Sequence, residues 1–247
     1  MIHMQRKYIF YLIGLVGVWM AFIAPPQRTV WMMGDSTMAI KDTSKSPETG
    51  WGMAFATLFK NTVQVKNMAK NGRSTRSFIN EKRWEEINVH MKAGDYLFIQ
   101  FGHNDEKMNK PQVGTSISVY KANLTLFVKS ALAKGVHPVL LTPIERRHFE
   151  NGRLIETHLG YPDAARRVAD SLQVPLIDLT EQTNALLSKM GEQRSKKLFL
   201  HIPPGHPHYP KGVEDNTHLN PEGAMAIAKL AANELRKLHL DLANDLK

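Results

Sequence analysis

Four short stretches hold residue types that, brought together, would carry out acyl transfer through a serine: Gly34-Asp35-Ser36-Thr37, Asn71-Gly72-Arg73-Ser74, Gly102-His103-Asn104-Asp105 and Asp215-Asn216-Thr217-His218. A serine hydroxyl attacks an ester only when a base takes its proton and a carboxylate orients that base. Ser36 is the candidate nucleophile, His218 the candidate base, and Asp215, three residues before it, the candidate carboxylate. The oxygen that becomes negative on attack needs hydrogen-bond donors aimed at it. A backbone N–H comes closest to a reacting atom at a glycine, which suits Gly72. The side-chain amide of Asn104 and the backbone amide of Ser36 complete a donor set.

Each stretch also has a plainer reading. Asp and Ser are favoured at helix N-caps, so Gly-Asp-Ser-Thr alone fits a cap after a strand. Gly72 fits a turn with positive φ, and Asn104-Asp105 fit an Asx-turn. Asp215 and His218 fit a metal site completed by His201, His206 and His208. The stretch HIPPGHPHYP that holds those histidines is rich in Pro and Gly, so it reads as a loop, and no H-E-x-x-H pattern occurs. No metal is assigned.

The elements that must position these residues are legible as apolar runs. Residues 29–33, 63–67, 96–101, 139–142 and 176–179 read as strands buried on both faces of the pleat. Between them, Ile117, Tyr120, Leu124, Phe127, Ala131 and Leu132 recur at helical spacing and stop at Gly135, and Ala164, Ala165, Val168, Ala169 and Leu172 form a second stripe. A last helix opens with Asn220 as N-cap and Pro221 at the first position. Alternating strands and helices predict an α/β fold with a parallel sheet covered on both faces. Ligands of such sheets bind at the carboxyl ends of the strands. Ser36, Gly72 and Asn104 each follow a strand, and residues 214–220 read as a loop before the last helix, so all four stretches converge on one edge.

Composition fits a globular protein, 43% hydrophobic and 22% charged over 247 residues, with no repeat. Residues 8–24 form an apolar stretch after Arg6-Lys7, with Ala24 at its end, which reads as a signal peptide over 1–24 or an uncleaved anchor. The expected domain is therefore 25–247, exported to the periplasm or beyond, touching a membrane only if the leader is retained. Cysteine is absent, which excludes disulfides and thiolate metal sites. The formal charge of +9 favours an acidic partner, but the basic residues are scattered without the interleaved aromatics of a nucleic-acid binder. No G-x-S-x-G elbow and no phosphate-binding G-x-x-x-x-G-K-[ST] loop occur.

Taken in order, the four blocks resemble those of the SGNH (GDSL-like) hydrolase superfamily, whose namesake residues would be Ser36, Gly72, Asn104 and His218. The longer strings GDSTM, GRSTRSF, QFGHND, TPIERRHF, THLGYPDAARRVA and DNTHLN are similar to rhamnogalacturonan acetylesterases and related pectin acetylesterases. That resemblance implies a three-layer α/β/α sandwich, flavodoxin-like, with about five parallel strands. It also implies no metal or organic cofactor and removal of acetyl groups from a pectic, hence acidic, polysaccharide; the chain is expected to act as a monomer. Arg73, Arg76 and His103 flank the oxyanion residues and are the candidates to meet a galacturonate carboxylate, with pairing to Asp or Glu as the alternative for each arginine. Two other readings stay open: an esterase or thioesterase of the same superfamily acting on lipid or other acyl groups, and a glycan-binding protein without turnover.

Overall fold

The computed structural model describes residues 28–247; the expected leader lies outside the described residues. Strands are β1 (Arg28–Gly34), β2 (Val63–Asn67), β3 (Tyr96–Gln100), β4 (His137–Leu141), β5 (Phe149–Glu150), β6 (Arg153–Leu154), β7 (Leu176–Ile177), β8 (Phe199–Ile202) and β9 (Val213–Leu219). Helices are α1 (Trp51–Thr57), α2 (Thr75–Asn80), α3 (Arg83–His90), α4 (Ile117–Ala133), α5 (Tyr161–Leu172), α6 (Leu179–Ser195) and α7 (Pro221–Lys237). The central sheet runs β2-β1-β3-β4-β7 with every pair parallel.

Side chains alternate across a strand, and here both sides are apolar. Val30, Met32, Phe98, Val139 and Leu141 enter one core with Trp51 and Phe55 of α1 and Ile227, Ala231 and Leu235 of α7. Trp31, Met33, Leu97, Ile99 and Leu140 enter the other with Phe78 of α2, Trp84 of α3, Phe127 of α4 and Ala165 of α5. Burial on both faces explains why these strands read as unbroken apolar runs. The result is the expected three-layer sandwich with five parallel strands.

Three expectations are corrected. Residues 63–67 were expected to be buried on both faces, but β2 is an edge strand in which only Val63 is buried and Gln64 is exposed. The fifth strand was expected to reach 179, but it stops at Ile177 because Asp178 accepts a hydrogen bond from the Glu181 N–H (3.1 Å) and caps α6. Residues 214–220 form most of β9 rather than a loop, antiparallel to β8, whose His201 and Ile202 come from the histidine-rich stretch. α7 is docked closely behind this hairpin. A Cβ on Gly223, in its first turn, would stand 1.9 Å from the Leu198 carbonyl oxygen, and the Asn220 cap bonds the carbonyls of Lys197 (2.8 Å) and Phe199 (3.1 Å). The end of β9 is thereby held against a rigid helix start.

Candidate active site

Ser36 lies just past the end of β1 and is 9% exposed. A buried polar relay holds its turn. Asp35 Oδ1 accepts from the Thr37 N–H (2.9 Å) and hydroxyl (2.8 Å), Gln100 Nε2 donates to the same hydroxyl (3.2 Å), and Trp51 Nε1 donates to Gln100 Oε1 (2.8 Å). Burial works against the Asp35 charge, yet His103 and the Thr37 donors outweigh it and hold the carboxyl at about 2.

The candidate base, His218, lies on β9. Asp215 Oδ1 accepts from the backbone N–H groups of Thr217 (2.7 Å) and His218 (2.9 Å), which turns Oδ2 toward His218 Nδ1 at 2.7 Å. His218 Nε2 lies 2.9 Å from Ser36 Oγ. Burial would raise the Asp215 carboxyl, but the His218 ring and the two amides together keep it well below the ordinary carboxylate range. With Nδ1 carrying a proton toward Asp215, Nε2 is free to accept the serine's.

The candidate oxyanion donors Gly72 and Asn104 lie on two loops. Gly72 has φ +76°, a conformation that favours glycine, and nothing lies within 4 Å of where a Cβ would stand. Asn104 accepts from Lys107 Nζ through Oδ1 (2.7 Å), which orients the amide, and gives one N–H to the Arg73 carbonyl (3.1 Å), leaving the other. That bond also ties the Asn104 loop to the Gly72 loop.

Asp105 fixes the loop from behind, accepting from the Thr75 N–H (3.0 Å) and hydroxyl (2.6 Å) at the start of α2, while its Oδ2 has no partner among the described residues. Burial pushes this carboxyl from 3.8 up to about 7. A folded-state pKa raised in this way contributes stability below the unfolded value that is lost as pH rises through the folded one. Asp105→Asn, which keeps the acceptor for Thr75 and cannot ionise, is therefore expected to gain Tm relative to the parent as pH rises from 4 to 7. Parallel pH dependences for the two proteins would contradict this.

Of the candidate substrate contacts, the structure removes His103. Its side chain is 3% exposed, beneath the serine turn, with Nδ1 3.3 Å from Asp35 Oδ2 and its ring edge-on to that of His158 at 4.5 Å. Burial lowers it to about 4, so the ring is neutral at neutral pH. Arg73 follows the alternative of structural pairing: Nε bonds both Glu81 oxygens (3.0 and 3.1 Å) and Nη1 bonds the Asn71 carbonyl (2.8 Å). Arg76 donates only to the Pro111 carbonyl (2.9 Å) and keeps its charge free of a carboxylate among the described residues.

Other contributors carry no signal of their own. Arg147 donates its backbone N–H to the Asn216 carbonyl (2.8 Å) and its guanidinium to Asn216 Oδ1 (2.7 Å) and the Glu192 carbonyl (2.7 Å), clamping β9 beside Asp215. His201 Nε2 reaches the same Asn216 oxygen at 2.9 Å. Glu106 bonds His158 Nδ1 (3.0 Å) and pairs with Arg146, supporting the Asn104 loop. Arg146, Arg147 and His158 all fall in the strings TPIERRHF and THLGYPDAARRVA, so the strings marked the segments without revealing the roles. No group of three or more acids and histidines suited to a metal occurs among the described residues.

With this geometry in hand, residues 30–231 match the model of the GDSL-like lipase/acylhydrolase family. Rhamnogalacturonan acetylesterase RhgT of Bacillus subtilis is 45% identical over 219 residues, spanning 88% of this chain and 93% of the relative. A rhamnogalacturonan acetylesterase of Emericella nidulans is 28% identical, spanning 81% and 82% of the two. The crystal structure of YxiM from Bacillus subtilis has a TM-score of 0.74 at 28% identity, covering 87% of this chain; this chain spans 58% of that one. Axe2, an acetylxylan esterase of Geobacillus stearothermophilus, shares the fold with a TM-score of 0.62 at 17% identity, covering 84% of this chain and 94% of its own.

Proposed function

Because the chain belongs to the GDSL-like lipase/acylhydrolase family, we propose that it is an exported serine esterase that removes acetyl groups from pectic polysaccharide, rhamnogalacturonan foremost. The observation that carries the chemistry is the unbroken line from Asp215 Oδ2 through the His218 ring to Ser36 Oγ, 2.7 and 2.9 Å. The relatives named as rhamnogalacturonan acetylesterases support the substrate. The basic pair and apolar stretch at residues 6–24 support export.

In this reading His218 Nε2 takes the Ser36 proton as Oγ bonds to the acetyl carbon. The carbonyl π electrons move onto oxygen, which the amides of Ser36 and Gly72 and the free N–H of Asn104 receive. Collapse breaks the bond to the sugar oxygen, which leaves with the proton from His218. Water then attacks the acetyl-enzyme with His218 again as base, releasing acetate and restoring Ser36. Asp215 keeps Nδ1 protonated throughout and stabilises the ring when both nitrogens carry protons.

Asn104→Ala is expected to lower kcat on p-nitrophenyl acetate by about a hundred- to a thousand-fold, roughly 2.7–4 kcal/mol of transition-state stabilisation. A folded variant with full activity would remove Asn104 from the oxyanion site. Substrate class is tested by acetate release from acetylated rhamnogalacturonan, homogalacturonan and xylan, beside acetyl and octanoyl nitrophenyl esters. Fastest release from rhamnogalacturonan with acetyl far above octanoyl is expected. Faster release from xylan overturns the pectic assignment, and a preference for octanoyl overturns the acetylesterase.

A further inference from the structure

Glu145, beyond the end of β4, takes no part in the chemistry above, yet it is 1% exposed. Its N–H donates to Thr183 Oγ1 (2.9 Å) and its Oε1 accepts from Asn184 Nδ2 (3.4 Å), while Oε2 has no partner among the described residues. Native structures leave few buried polar atoms unpaired, because their lost hydration is not replaced. This carboxyl lines a cavity of ≈ 500 Å³ between α5 and α6.

Three further acids, Glu156, Asp163 and Glu181, line the same cavity. Its one cation among the described residues, Arg166, is already held by Asp163 (2.6 Å) and Asp178 (2.7 Å). The cavity therefore offers acceptors and repels anions. It is far larger than an ion and lies in the size range of small organic ligands, about 300–1,000 Å³. Burial also raises Glu145 to about 7, so that below neutral pH it donates one hydrogen bond and accepts another. Acceptors mixed with a few donors suit the paired hydroxyls of an uncharged sugar.

The cavity's place fits that ligand. β4 lies two strands from β1, about 10 Å across the sheet, and the segment carrying Glu145 joins both halves of the catalytic cluster. Arg146 donates to the His103 carbonyl (3.4 Å) and Arg147 to the Asn216 carbonyl (2.8 Å). A saccharide with its ester at Ser36 that ran along this edge toward β4 would bring a unit further along its chain to the cavity.

We propose that the Glu145 cavity is a subsite for a neutral sugar unit of the substrate chain and turns a uronate away, an inference that rests on the polysaccharide esterase reading. Rhamnogalacturonan supplies both kinds of unit, neutral rhamnose and acidic galacturonate.

The test uses Ser36→Ala protein titrated calorimetrically with a deacetylated rhamnogalacturonan oligosaccharide and with a galacturonate oligomer of equal length. The first is expected to bind about tenfold more tightly or better. Adding Glu145→Ala, or Ala185→Trp on the exposed helix face that lines the cavity, is expected to remove about tenfold of that affinity, whereas Glu145→Gln retains it. In enzyme with Ser36 intact, Ala185→Trp should lower the ratio of kcat/KM on acetylated oligosaccharide to that on p-nitrophenyl acetate by the same factor. Equal binding of the two oligomers, unchanged affinity in Ala185→Trp, or an equal fall on both esters overturns the subsite. Acetate release by the unaltered enzyme judges the substrate reading separately, since the binding measurements do not depend on turnover.

Discussion

Ser36→Ala and His218→Ala are each expected to lower kcat on acetyl esters by about a million-fold, and the double variant by little more, because nucleophile and base act as one unit. The geometry requires this coupling. His218 Nε2 has Ser36 Oγ as its partner at 2.9 Å. Without the hydroxyl the ring has no proton to take, and without the ring the hydroxyl has no base. The Ser36→Ala variant should fold normally, because Asp35, Thr37, Gln100 and Trp51 hold the turn through bonds that do not include the serine side chain. Turnover measured beside a thermal melt separates the two effects. A loss of only about tenfold, equivalent to 1.4 kcal/mol, would mean that another group attacks. Independent losses that multiply in the double variant would also break the unit.

The parts of this site that could be read in advance are those where one residue type performs one task at a strand end. Ser36 and Asn104 each follow an apolar run, and a run buried on both faces is the strongest strand signal a parallel sheet leaves; Gly72 follows the edge strand β2, whose Val-Gln-Val-Lys-Asn is only partly buried. Asp215 and His218 were readable as a pair from their spacing, but their strand was not. β9 reads Val-Glu-Asp-Asn-Thr-His-Leu, and its order comes from pairing with β8 and from the Arg147 clamp, neither of which is a local property. His103 shows the opposite failure. A histidine between Gly102 and Asn104 looks like a loop residue open to substrate, yet the turn buries it against Asp35 and His158. Polar residues that support a site from behind resemble residues that face a ligand. Residue burial alone does not separate them, since Asn104 is as buried as His103; the partners of the polar atoms do, and those are a property of the assembled fold. Asp105 and Arg147 are of this kind: one bonds the start of α2 at Thr75, the other holds β9 at Asn216.

The carboxylate of the cluster yields the second large effect. Asp215→Asn is expected to lower kcat by about 10⁴-fold although the residue never touches substrate, and the reason lies in the ring's tautomer. Asp215 Oδ1 is committed to the amides of Thr217 and His218, at 2.7 and 2.9 Å. In the asparagine variant those two donors claim the amide oxygen, so the NH₂ group is what faces His218 Nδ1. A donor there makes Nδ1 an acceptor and moves the ring proton to Nε2, which then points a hydrogen at Ser36 Oγ and cannot take the serine's proton. Asp215→Ala removes the orientation without imposing the wrong tautomer and is expected to cost about 3 × 10⁴-fold, a loss of the same order. Parent and variant also differ in acid. A carboxyl held below its ordinary value contributes stability above the unfolded pKa, near 3.9, and loses it as pH falls toward the folded one. The parent protein should therefore lose more stability than Asp215→Asn as pH is lowered below about 5. Kinetics at neutral pH and melts across the acid range then read one residue in two ways. Full turnover in Asp215→Asn would assign the orienting role elsewhere, and identical acid profiles would mean that the carboxylate is not held ionised by His218 and the two amides.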